Sequence, residues 1–222
     1  MGGLMEAMSR NPGAAESYFD PHKNDNLDCF LKERDWPGGN VESEMPDDLV
    51  KSSARASFAD ALEAASTGRL PDAPLHKEIP AHHSAVQADI FEKTINYYGE
   101  QSKDQQDALP AAIRQSMSHM IGDYASDVHQ ILGKDLNGFT EFNHLDIDRE
   151  SLTRVMRGAA EDPKAFQTMH QSQSAVIAEG LQHFGKGSFE HPDPELHAWV
   201  KQSSSVLGYM DGVRGDVIYD MG

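Results

Sequence analysis

The run Leu109–Leu132, LPAAIRQSMSHMIGDYASDVHQIL, sets Ile113, Met117, Met120, Ile121, Tyr124, Val128 and Ile131 at steps of three and four. Steps of that size stack side chains on one face of an α-helix, whereas a strand would need alternation. Pro110 suits a first helical turn, where its missing N–H costs no hydrogen bond, and Gly133 is placed to end the helix in a left-handed conformation. The opposite face carries Arg114, Gln115, Ser118 and Asp127 and reads as polar. A helix of this kind is expected to run through a helical bundle as its central rod.

The rest of the chain punctuates into further helices. Leu4–Ser9 is expected to end a helix at Asn11-Pro12, because the residue before a proline is pushed out of the α region and Asn caps the next helix well. Gly13–Phe19 follows, then a short helix capped by Asn24 or Asp25 with Leu27, Phe30 and Leu31 on one face. Residues 40–46 read as a turn-rich loop. Asp47–Thr67 forms a long helix ended by Gly68, and 69–80, with Pro71, Pro74 and Pro80, cannot be helical. His82–Tyr98 is the next helix. Residues 134–146 are irregular, with Asn137-Gly138 as a turn. Asp148 caps another helix, with Ile147 and Leu152 spaced as a hydrophobic staple. That helix stops at Glu161-Asp162-Pro163, and Pro163–Phe184 follows. Residues 185–194 form a turn-rich break, and Glu195–Tyr219 is a last helix loosened by Gly208, Gly212 and Gly215.

No segment alternates with β-branched enrichment, so the expected class is all-α: an irregular bundle of about eight helices without a sheet. Helix content should be about 55–65%, well above the ordinary third. Residues 1–222 read as one all-helical domain, with a proline-rich linker at 69–80 between an N-terminal helical subregion and the main bundle. A chain of 222 residues can bury a sizeable core.

Charge narrows the partners. Thirty-six acidic against 19 basic residues leave a net charge of −17. That argues against nucleic acid, which needs clustered Lys and Arg, and against an anionic membrane surface. A basic or neutral protein partner remains compatible, and a protein partner is expected; the charge equally fits a role in keeping the domain soluble, and oligomeric state is open. No window approaches the ~18–20 apolar residues of a membrane span. The segment lacks a basic region followed by an apolar run, hence a conventional signal peptide. Cys29 is the one cysteine, so no intrachain disulfide forms; among apolar neighbours it reads as a small core residue.

Candidate chemistry is thin. Gly180 to Ser188, GLQHFGKGS, nearly matches a phosphate-binding loop but has Gly187 where the magnesium-binding hydroxyl belongs, and it ends a helix rather than starting one. The 11 histidines, notably His82-His83 and His183, His191 and His197, show no HExxH or comparable ligand spacing and read as surface residues. Asp135, Asn137, Gly138, Glu141 and Asp146 miss the calcium-loop register, with Gly138 two positions early. No catalytic, cofactor-binding or metal-binding residue is assigned on this basis, and no cofactor is expected.

Trp36-Pro37-Gly38 is a W-x-G step between two helices. Asn11-Pro12, Ala14-Ala15 and Phe19 form one further run of interest, and Asp25-Asn26-Leu27, Leu31, Arg34 and Trp36 a second. Ala61-Leu62-Glu63-Ala64-Ala65, Thr67-Gly68, Asp162-Pro163, Ala165 and the Arg214–Asp220 segment complete the set in order. Together these stretches resemble an uncharacterised all-helical domain of long actinobacterial proteins, which carry W-x-G helical segments and toxin-like, type VII secretion-associated architectures. The tyrosine-plus-four acidic export signal associated with W-x-G proteins follows none of the tyrosines here. The resemblance implies a domain of a longer protein without a transferable catalytic residue, either cytoplasmic or exported by a type VII-like route. The leading expectation is a non-catalytic structural or protein-interaction module. The alternatives are an acidic antitoxin or immunity-like protein, and a hydrolase with a scattered Asp/Glu/His site that a bound metal or deep polar pocket would bring forward. Trp36 is expected to pack over the end of the Asp47–Thr67 helix.

Overall fold

The computed structural model describes residues 2–33, 47–74, 81–102, 109–133, 145–191 and 193–221. Trp36-Pro37-Gly38, the Asn137-Gly138 turn with its calcium-like neighbours up to Glu141, and residues 75–80 of the proline-rich stretch lie outside them. The described residues form an all-α structure, 80% helical and without a strand. The helices are α1 (Gly2–Ser9), α2 (Pro12–Phe19), α3 (Asn26–Asp28), α4 (Asp47–Thr67), α5 (Ala85–Gln101), α6 (Arg114–Asp123), α7 (Ala125–Leu132), α8 (Arg149–Ala160), α9 (Pro163–Gln182), α10 (Lys186–Glu190) and α11 (Pro194–Met221). The expectation of about eight is therefore low, chiefly because the 109–132 stretch divides into α6 and α7 and the expected break at 185–194 holds α10.

Caps explain most boundaries. Asn11 Oδ1 accepts the Ala14 N–H at 3.2 Å, and Asp162 accepts from Lys164 and Ala165 at 2.8 and 3.2 Å. Asp148 accepts from Ser151 at 3.0 Å, and the stapling residues Ile147 and Leu152 are both buried. Gly68 ends α4 with φ of 69°, a conformation that other residues adopt at a cost. The helix expected from His82 begins at Ala85 instead, because Ser84 and Gln87 form a reciprocal capping box.

α4 packs against α1 and α2, and also against α5 and α6. Phe19, Phe30 and Phe58 interlock at centroid distances of 5.4–6.0 Å and tie α2 and the π-turn Cys29–Glu33 to α4. α6 lies on α9, α5 on α8, and α11 against α7, α8 and α9. Cys29 is exposed on the π-turn, which corrects its reading as a core residue; Leu27, Phe30 and Leu31 take the buried positions.

The central stretch keeps its inner face but not its continuity. All seven apolar residues from Ile113 to Ile131 are buried. A 3-10 turn, Ala111–Ile113, precedes α6, and Tyr124 at φ −90°, ψ 25° separates α6 from α7. The i→i−4 bonds persist across that step, from Tyr124 N to Met120 O and from Val128 N to Tyr124 O, so it is a bend. Ser118 and Asp127, on the face that reads as polar, are buried too, because neighbours pack around the stretch. Gly133 is not left-handed, with φ of −90°. The Arg149 guanidinium takes the Leu132 carbonyl at 2.6 Å, and a Cβ on Gly133 would lie 2.3 Å from Gln202 Cγ. Close approach, not backbone hand, is what the glycine serves.

Two further corrections concern the C-terminal part. The break expected at 185–194 holds a short helix, α10. α11 runs unbroken through its three glycines, since Val206, Met210, Val213 and Val217 are buried at steps of four, three and four and packing outweighs propensity. Gly99 sets the α5–α8 approach: its Cβ would meet Ser151 Cα at 2.7 Å and Ser151 O at 2.8 Å. Backbone cannot swing aside as a side chain can. Gly99→Ala is expected to cost about 1–3 kcal/mol, read as a lower urea midpoint at unchanged m-value.

Candidate functional site

α4 and α6 face each other along two polar edges. Asp60, Glu63 and Thr67 repeat at three and four on α4, as Ser116, His119 and Asp123 do on α6. The Ser116 hydroxyl donates to Asp60 Oδ1 at 3.0 Å. His119 donates Nδ1–H to Glu63 Oε1 at 3.1 Å. Glu63 Oε1 also accepts the Asp72 N–H at 3.1 Å, which brings the turn after α4 into the cluster.

Asp123 organises the other side. Arg69 Nη1 donates to its Oδ1 at 2.7 Å, and His83 Nε2 to its Oδ2 at 3.0 Å. Arg69 leaves α4 and His83 leads into α5, so one carboxylate, 2% exposed, holds both ends of the α4–α5 connection. Arg69 also reaches the Pro74 carbonyl. The His83 ring stacks on Tyr124 at 3.8 Å, and Tyr124 on Phe91 at 4.1 Å. The Tyr124 hydroxyl donates to Ser66 O at 2.8 Å. Burial, reinforced by the Asp123 and Asp127 charges, holds that phenol well above its ordinary value, so it remains a donor.

A small open cleft of about 10 Å³, room for about a single water, lies between Glu63, Thr67 and His119 on one side and Leu70 and Ala73 on the other. Small-molecule sites usually enclose roughly 300–1,000 Å³. Burial raises the Glu63 carboxyl, and the His119 hydrogen bond only partly offsets this. The bond to Glu63 raises His119 against the opposing effect of burial, with the Glu63 and Asp72 charges adding to it. Burial also raises Asp60, with the Ser116 hydroxyl opposing. The Glu63 and His119 shifts agree in one respect: the pair retains a proton.

That retention sets a pH dependence. A group with a raised folded value contributes stability that is complete below its unfolded value and lost as pH rises through the folded one. The loss therefore starts above the ordinary 4.5 for Glu63 and above 6.5 for His119. Melting temperature is expected to fall between mildly acidic and mildly alkaline buffer. His119→Gln should flatten the part above pH 6.5, which a series of thermal melts of both chains would read.

A second buried polar group joins α7 to α9. Gln173 Nε2 donates to Ala125 O at 3.0 Å, so its Oε1 faces His129 Nδ1 at 3.1 Å and that nitrogen carries the proton. Burial holds the imidazole below its ordinary value, so it stays neutral. Its ring lies on Trp199, 5.1 Å away.

The motifs noted in the sequence fall elsewhere. His82, His183, His191 and His197 are exposed, whereas the side chains of His83, His119 and His129 are largely enclosed and correct the surface reading for histidines. Among the described residues no group of three or more His, Cys, Asp or Glu is arranged to hold a metal ion. In the loop-like GLQHFGKGS run, Gly180 serves packing: its Cβ would stand 1.9 Å from Trp199 Cζ2. The cleft itself was missed, although the matched three-and-four spacing of polar residues on α4 and α6 signalled it. No described helix is long and apolar enough to cross a membrane. Compared with known protein families, characterised proteins and solved structures, the chain shows no match.

Proposed function

We propose that this chain is a non-catalytic structural or protein-interaction module of a larger, secretion-associated, toxin-like protein. One observation carries the non-catalytic part: the acid–base groups of the cleft are committed to holding the chain together. Glu63 Oε1 serves Asp72 and His119, and the two Asp123 oxygens serve Arg69 and His83. The Ser116 hydroxyl, donated to Asp60 Oδ1, likewise ties α6 to α4. A net charge of −17 favours a basic protein surface as partner. The same charge fits the acidic antitoxin-like alternative. The secretion and toxin association rests on the sequence resemblance.

The hydrolase reading has one observation in its favour: Glu63 orients His119 through Nδ1, as a carboxylate orients a catalytic imidazole. A panel of ester, phosphoester and peptide substrates separates the two. The module reading expects no turnover beyond that of His119→Gln. Turnover lost in a His119→Gln chain of unchanged melting temperature would replace it with the hydrolase reading.

A further inference from the structure

The turn after α4 contains the one non-glycine residue with a positive φ among the described residues, Asp72 at 59°. Left-handed backbone is sparsely populated outside glycine and persists where surrounding contacts hold it. Here the holding contacts converge on His119. The Asp72 amide donates to Glu63 Oε1, which also takes the His119 N–H. The Asp72 carboxylate, 80% exposed, stands 3.9 Å from the same His119 nitrogen.

The charges around that imidazole come from several elements. Asp60 and Glu63 face it from α4, Asp72 from the turn and Lys164 from α9. Asp123 is its neighbour one helical turn along α6, and the Arg69 guanidinium is engaged there and at Pro74 O. A protonated His119 therefore stands among three carboxylates, one of which belongs to the turn. A neutral His119 leaves Asp72 beside Glu63 and Asp60 with the central positive charge gone, and like charges at this range repel. The turn also carries Leu70 and Ala73, one wall of the cleft.

We propose that the turn at 69–74 is a proton-controlled latch: seated against Glu63 and His119 while His119 is protonated, and swung out about its Arg69–Asp123 anchor when His119 is neutral, opening the cleft. Mildly acidic conditions close it and mildly alkaline conditions open it. This inference is independent of whether the chain is catalytic.

Hydrogen exchange of the full chain tests it through the Asp72 amide, corrected for the intrinsic pH dependence of exchange. Protection at Asp72 is expected to fall by about tenfold or more between about pH 6 and about pH 8.5, while Met120 and Val128 stay protected. His119→Gln should show the low protection at both values. Lys164→Gln removes the positive charge that opposes protonation of His119, so it should move the release to higher pH; this variant serves if His119→Gln does not fold. Constant protection in the wild-type chain would overturn the latch. So would loss in step with Met120 and Val128, a pH dependence that survives His119→Gln, or a release unmoved by Lys164→Gln.

Discussion

Tyr124→Ala is expected to destabilise the chain by about 3–5 kcal/mol, the range for emptying a buried aromatic site. Tyr124 is fully buried, and its ring is clamped between those of His83 and Phe91. It sits at the bend between α6 and α7, and its hydroxyl satisfies the last-turn carbonyl of Ser66 in α4. Removing it opens a cavity where α4, α5, α6 and the α4–α5 connection meet. Tyr124→Phe keeps the stack and loses only the hydrogen bond, so it should cost about 0.5–1.5 kcal/mol. Chemical denaturation of both variants checks the ratio; a smaller loss for alanine than for phenylalanine would show that the stack contributes little.

Asp123→Ala is the second large effect, again about 3–5 kcal/mol, because it leaves buried donors without their acceptor. Arg69 is only 23% exposed and the His83 side chain 1%. Asp123→Asn should rescue little, since an amide offers one oxygen to two donors and turns its own N–H₂ toward the other. Full stability in the asparagine variant would mean that charge and geometry at this carboxylate matter little.

Both sites explain what the sequence could and could not convey. Helix positions were legible because capping and staple residues act locally: Asn11, Asp148, Asp162 and Gly68 do in the structure what their neighbours in sequence require. How deeply the polar face of the central stretch is enclosed was not legible, because burial is a property of the assembled bundle. Ser118 and Asp127 look polar in isolation and are enclosed by other helices. The bend at Tyr124 leaves no mark in the apolar spacing, since the backbone bonds continue through it. For the cleft, Asp60, Glu63 and Thr67 carried a readable pattern, as did Ser116, His119 and Asp123. Pairing the two patterns needs the knowledge that α4 lies beside α6, which is tertiary. His83 was beyond reach for the same reason: its partner, Asp123, is 40 residues away.

The claim that Asp123 fastens both ends of the α4–α5 connection underlies the reading of the cleft as structural, and a double-mutant cycle tests it directly. Arg69→Ala, His83→Ala and the double variant are measured by denaturation beside the wild-type chain. Two donors sharing one carboxylate should couple by about 0.5–3 kcal/mol, so that the double variant departs from the sum of the singles. Additivity within about 0.3 kcal/mol would contradict it, showing that Arg69 and His83 act independently and that Asp123 is not the shared fastening.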